Sequence, residues 1–109
     1  MGKEHSKMGI EFTSKFDEAI SASDSEAVLR NILASPNYKL VKQEGTELRL
    51  RFTDPQEQST WAEDIEIELS PREVYVLFHF GSKNAMNQLL ELIQSSLASR
   101  KIACDFQEE

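Results

Sequence analysis

The chain has 109 residues, the length of one domain, and carries 12 basic against 19 acidic residues for a net charge of −7. That balance argues against a nucleic-acid-binding protein, which needs a basic surface, and against charge-driven docking on an anionic membrane. Its 39% hydrophobic and 28% charged residues are typical of a globular protein. Since there is one cysteine and no evident signal peptide, we expect a cytoplasmic protein without disulfides.

Two helices are predicted at the start of the chain, after a frayed N-terminus over residues 1–9 that leaves a single domain over 10–109. Three apolar residues spaced by four predict the first helix: Phe12, Phe16 and Ile20. A second helix is predicted over 24–34, because its apolar residues fall on one helical face. Ser23 followed by Glu26 fits a capping box at its start.

Alternating apolar and polar residues then predict four strands, over 38–43, 48–52, 65–69 and 74–80. The last of them is apolar on both faces, which is typical of a central strand. A helix over 82–99 follows, and then a short strand over 102–106, which would run parallel to the fourth strand if it lay beside it. The order ααββββαβ predicts an α+β fold with two layers, a mostly antiparallel sheet carrying its helices on one face.

The face of the sheet away from the helices is predicted to carry a mixed row: Arg49, Arg51, Glu66, Glu68, Tyr75, Leu77 and His79. Two interpretations stay open. Opposite charges on neighbouring strands can pair and set the register, as is common on polar sheet faces. Alternatively, the tyrosine, leucine and histidine beside mixed charge form a surface that binds a protein.

Acidic residues crowd the third predicted strand and the loop before it: Glu57, Glu63, Asp64, Glu66 and Glu68. Asp105, Glu108 and Glu109 add a second acidic patch. Such residues either maintain solubility or steer a basic partner toward the surface. Trp61, in the first group, is a candidate anchor for a partner or a lid that folds back over the sheet.

Catalytic chemistry has little support in the sequence. His79 has no nucleophile at an informative spacing, and Cys104 alternates with apolar residues, as a packed thiol does. A metal site would need His79 together with carboxylates that are distant in sequence, and no phosphate-binding loop or EF-hand occurs. We therefore predict no catalytic residue, no metal and no cofactor, with a small enzyme using His79 or Cys104 as the alternative.

In size, charge and layout the chain resembles the small acidic immunity proteins of bacterial toxin–immunity pairs of the contact-dependent inhibition type. The residues that carry the resemblance are the acidic group with Trp61 and the segment 105–109. The resemblance implies an inhibitor that occludes the cleft of a basic toxin, such as a nuclease, with its acidic surface. The expected contacts are Glu57, Trp61, Glu63, Asp64, Glu66, Glu68, Tyr75, His79 and Asp105. Acidic type III secretion chaperones are a second family that the chain resembles.

Overall fold

The computed structural model describes residues 9–109, so the predicted frayed terminus lies outside the described residues apart from Gly9. These residues form two helices and six strands, an α+β fold as predicted. A short 3-10 helix, Pro55–Glu57, lies between β3 and β4. The other elements, in chain order, are β1 Ile10–Lys15, α1 Ala22–Ala34, β2 Tyr38–Glu44, β3 Glu47–Phe52, β4 Ile65–Leu69, β5 Glu73–Phe78, α2 Lys83–Ala98 and β6 Gln107–Glu108.

The strands described in residues 9–109 form one antiparallel sheet in the order β2-β3-β4-β5-β1-β6. Both helices pack on the same face, since their buried residues join one core with alternate residues of β3, β4 and β5. Buried strand residues in this core include Leu48, Leu50, Ile65, Ile67, Val74 and Val76. The opposite face of these three strands carries the predicted charged and aromatic row.

Strand β5 lies between β4 and β1, which confirms its predicted central placement in the sheet. Both of its edges are hydrogen-bonded, and Val74, Val76 and Phe78 are buried against the helices. We expect the amides of β5 and of the buried side of α2 to be the slowest in the chain to exchange with deuterium, because they open only with the core. Native-state exchange followed by NMR measures this. Fast exchange along β5, at the rate of the edge strand β2, would contradict the expectation.

The first predicted helix is wrong, since Ile10–Lys15 is a strand. It pairs antiparallel with β5, from Ile10 opposite Phe78 to Lys15 opposite Glu73. A spacing of four residues is also an even spacing, so it fits one face of a strand as well as one face of a helix. The ring of Phe12 packs edge-to-face on Phe78 at 6.0 Å, a contact with a residue far along the chain. The observed order of helices and strands is therefore βαββββαβ.

The last predicted strand is displaced. Residues 102–106 form no strand, although Ile102, Cys104 and Phe106 pack against the core in the predicted alternation. Backbone pairing begins one residue after this segment, where Gln107 and Glu108 pair antiparallel with β1. No parallel pairing with β5 occurs in residues 9–109, because β1 already occupies that edge of β5.

Helix α1 begins earlier than predicted, at a different capping box. Ser21 is the N-cap, its hydroxyl accepts from the Asp24 N–H at 3.0 Å, and the Asp24 carboxylate accepts from the Ser21 N–H at 3.0 Å. Arg100, just after α2, donates to the same carboxylate at 2.5 Å. The Arg100 guanidinium, with the hydrogen bonds from Ser21, lowers the pKa of Asp24. The end of α2 is thereby tied to the start of α1.

Candidate functional site

The loop between β3 and β4, residues 53–64, is held by a buried carboxylate. Asp64 is fully buried; its Oδ2 accepts from the Phe52 N–H at 3.0 Å and its Oδ1 from the Ser59 N–H at 2.5 Å. Its backbone carbonyl accepts from the His79 N–H at 2.8 Å. The prediction that Asp64 lies on an exposed, partner-binding surface is therefore wrong. Its carboxylate instead accepts hydrogen bonds from backbone N–H groups at the end of β3 and in the loop that follows, which have no backbone partner there.

Arg51 fixes the other side of this loop. It lies on the outer face of β3, as predicted, and its guanidinium donates to the backbone carbonyls of Ser59 and Trp61. The Ser59 hydroxyl accepts from the Trp61 N–H at 3.1 Å. The backbone that carries Trp61 is thus held from both sides, and the indole is presented from a fixed position.

The indole of Trp61 lies against His79. The two rings are stacked, with centroids 5.0 Å apart and planes 15° apart. The His79 side chain is only 7% exposed, and its Nε2 lies 2.7 Å from Oε2 of Glu66. Trp61 itself stays 45% exposed. The two interpretations of Trp61 are therefore compatible, since one face of the indole covers His79 while much of the ring remains available to a partner.

A second carboxylate completes the site. Ligand atoms of Glu63, Glu66 and His79 all lie within 4.8 Å of one another. At that separation two carboxylates repel by about 1 kcal/mol in water and by about 3 kcal/mol at the effective dielectric near a protein surface. No lysine or arginine within residues 9–109 forms an ion pair with Glu63 or Glu66. We call Trp61, Glu63, Glu66 and His79 the Trp61 cluster.

Glu63, Glu66 and His79 are also the residues that could hold a metal ion. The sequence placed these carboxylates far from His79, whereas antiparallel pairing of β4 with β5 brings them together in space. Coordination through Nε2 would displace the hydrogen bond to Glu66 and transfer the imidazole proton to Nδ1. That atom is buried and has no hydrogen-bond partner within the described chain. The geometry therefore does not favour a metal bound through Nε2.

The remaining predicted contacts lie apart from the cluster. Glu57 is engaged by the start of α2, where its carboxylate accepts from the N–H of Ser82 at 2.6 Å and from the hydroxyl at 2.9 Å. Glu68 and Tyr75 are opposite each other, further along the same face of β4 and β5. Asp105 lies beside β1, where its N–H donates to the Ser14 hydroxyl at 2.8 Å. The predicted residues thus do not form one continuous acidic patch.

Sequence reasoning missed Phe80 as a surface residue. Its alternation with Phe78 suggested the helix-facing side, but β5 ends at Phe78 and the ring of Phe80 is 50% exposed. It lines an open depression together with residues 58–61 and His79. The one available signal was Gly81, which marks the end of the regular strand.

Cys104 is partly buried on the other side of the sheet from this loop, against the core. Burial raises the pKa of the Cys104 thiol above its usual range, and the neighbouring Asp105 raises it further, although a hydrogen bond with Ser14 opposes them. A raised pKa keeps the sulfur protonated, the form that is a poor nucleophile.

The structure thus defines an α+β domain with an aromatic and acidic cluster at one end of the sheet face that lies away from the helices. No protein-family model, curated protein or solved structure matched the chain. Within the described residues, neither helix has the length and apolar character needed to cross a bilayer.

Proposed function

We propose that this protein binds and neutralises a basic partner protein, as the immunity proteins of bacterial toxin–immunity pairs do. The observation that carries the proposal is the Trp61 cluster, a half-exposed indole in a fixed position beside two carboxylates without a lysine or arginine partner in the described chain. Tryptophan is enriched among residues that dominate binding energy, and carboxylates without a lysine or arginine partner attract a basic surface. The net charge of −7 adds long-range attraction for such a partner.

The mechanism we propose is occlusion. Trp61 and the exposed Phe80 would insert at the mouth of a basic cleft, while Glu63 and Glu66 occupy positions that a nuclease offers to the phosphates of its substrate. A catalytic alternative is less well supported, since His79 has one ring nitrogen bonded to Glu66 and the other buried. The thiol of Cys104 also gives little support to catalysis, because its raised pKa keeps it protonated and a poor nucleophile.

The test begins with the partner that co-purifies with the full chain from its own cells. We expect a basic protein whose activity is abolished by one equivalent of the wild-type chain. Trp61→Ala should accelerate dissociation, with an affinity loss of about 2 kcal/mol, because it removes a desolvated anchor. Glu63→Lys should slow association several-fold, and the difference should shrink as salt is added, because screening weakens steering.

Glu26→Lys is the matched control for charge. It makes the same substitution on the exposed side of α1, a helix that packs on the opposite face of the sheet. It should leave the association rate close to that of the wild-type chain. Equal slowing by both lysine substitutions would show that only net charge matters, and a partner whose activity is unaffected by the chain would refute the proposed neutralisation.

A further inference from the structure

Two side chains of the Trp61 cluster, Glu63 and His79, have unfilled acceptor positions. The carboxylate of Glu63 is partly buried and has no hydrogen-bond or ion-pair partner within residues 9–109. His79, more than nine-tenths buried, projects into the cluster, and its Nδ1 is the one buried side-chain nitrogen or oxygen of the described residues that lacks a partner. In the tautomer that donates from Nε2 to Glu66, Nδ1 carries a lone pair. Apart from the indole N–H of Trp61, the unfilled positions of the cluster are therefore acceptors, and the cluster contains no lysine or arginine.

The indole supplies a flat surface beside these acceptors. One face of Trp61 lies on His79, and 45% of the side chain remains exposed. Cations are attracted to the face of an aromatic ring, and tryptophan is the strongest aromatic in this respect. A guanidinium is planar, stacks on such rings and presents five donors and no acceptor. It also pairs with carboxylates through two parallel hydrogen bonds, which a lysine ammonium cannot do.

We infer that the Trp61 cluster binds an arginine side chain of the partner, with the guanidinium stacked on Trp61 and paired with Glu63. The inference rests on the proposed function, since it names the chemical group through which the same surface recognises a basic protein. Binding of a guanidinium leaves the hydrogen bond between His79 and Glu66 in place. A divalent ion at Nε2 would have to break that bond, and it would gain nothing from the aromatic surface.

Short capped tripeptides with a central arginine, lysine or citrulline are suitable probes, because citrulline keeps the shape of arginine without its charge. Trp61 is the only tryptophan, so its indole N–H gives a single assigned signal in NMR spectra of the full chain. At low salt we expect the arginine peptide to shift this signal in a saturable manner, the lysine peptide to bind more weakly, and the citrulline peptide to cause no saturable shift.

Glu63→Gln should weaken binding of the arginine peptide by about two- to fivefold, the range for an exposed ion pair. Glu68→Gln is the matched control, since Glu68 is exposed two residues along the same face of β4 from Glu66, and it should not change the affinity. Equal affinity for the arginine and citrulline peptides, or equal effects of the two glutamine variants, would overturn the inference. A titration with zinc chloride that shifts the same signal at lower concentration, and fails in Glu63→Gln, would assign the cluster to a metal ion instead.

The two proposals can fail separately. Binding of the native partner that depends on Trp61, in a chain that shows no arginine-peptide binding, would overturn the arginine site and retain the binding function. Arginine-peptide binding with the expected variant effects, together with a partner that binds equally well to Trp61→Ala, would support the arginine site and refute the proposed role of this surface in neutralisation.

Discussion

Replacement of Asp64 by alanine is expected to lower the free energy of unfolding by about 3 kcal/mol or more. The carboxylate is fully buried and accepts hydrogen bonds from the backbone N–H groups of Phe52 and Ser59. Hydrogen bonds to a charged group contribute about 1.5–3 kcal/mol each, and their loss leaves buried donors without partners. For a domain of this length, the midpoint of thermal unfolding should fall by roughly 10 °C or more. Circular dichroism during heating, with urea unfolding at 25 °C, measures both quantities.

Two variants make this result specific. Asp64→Asn retains one carbonyl oxygen but places an amide NH₂ toward the other backbone donor. It should therefore lower the free energy of unfolding by less than Asp64→Ala does. Asp17→Ala removes an exposed aspartate in the connection between β1 and α1 and should cost little. If Asp64→Ala melted within about 2 °C of the wild-type chain, the buried carboxylate would not be what holds the loop.

Replacement of Gly81 by alanine should destabilise the domain by about 2–4 kcal/mol. Gly81 has φ +128°, a backbone conformation that residues with a side chain rarely adopt. A Cβ at this position would also lie 2.9 Å from Cε2 of Phe52, whose ring is buried in the core and cannot move freely. Backbone strain and steric overlap therefore act together at the junction of β5 and α2. Urea unfolding gives the difference in free energy.

Gly45→Ala is the matched comparison. Gly45, in the turn between β2 and β3, has φ +59°, and no atom would lie within 4 Å of an added Cβ. It should cost about 1–2 kcal/mol from backbone strain alone, less than the change at Gly81. In a Phe52→Leu background the steric part of the Gly81→Ala effect should diminish, so the two substitutions should be non-additive. Equal losses at the two glycines would contradict a steric role for Phe52.

The local sequence pattern was sufficient to predict the elements in which apolar residues recur with the spacing of a strand or of a helix. Strands β3 and β4 alternate cleanly, β5 is apolar on both faces, and α2 carries an apolar stripe after its N-cap Ser82. The α+β fold, the antiparallel sheet and the central position of β5 could therefore be predicted from sequence. The outer-face row was predicted for the same reason, because alternation assigns each residue of a strand to one face.

Pairing between distant segments decided the two ends of the sheet. The spacing of Phe12 and Phe16 fits a helix or a strand, and only the free edge of β5 selects the strand. The final strand depends on β1 in turn, because Gln107 and Glu108 need that new edge for their ladder. The spacing of apolar residues indicates a local conformation, whereas a strand forms only when its backbone is hydrogen-bonded to a neighbouring strand.

The candidate site divides in the same way. Composition and alternation identified Trp61, Glu66 and His79 as surface candidates and established the acidic balance that favours a basic partner. Only the tertiary structure showed that the neighbouring acids Glu63 and Asp64 have opposite roles, one partly exposed in the cluster and the other fully buried. The physical reason is that burial of a carboxylate depends on backbone donors elsewhere in the fold, here Phe52 and Ser59, which no local pattern records.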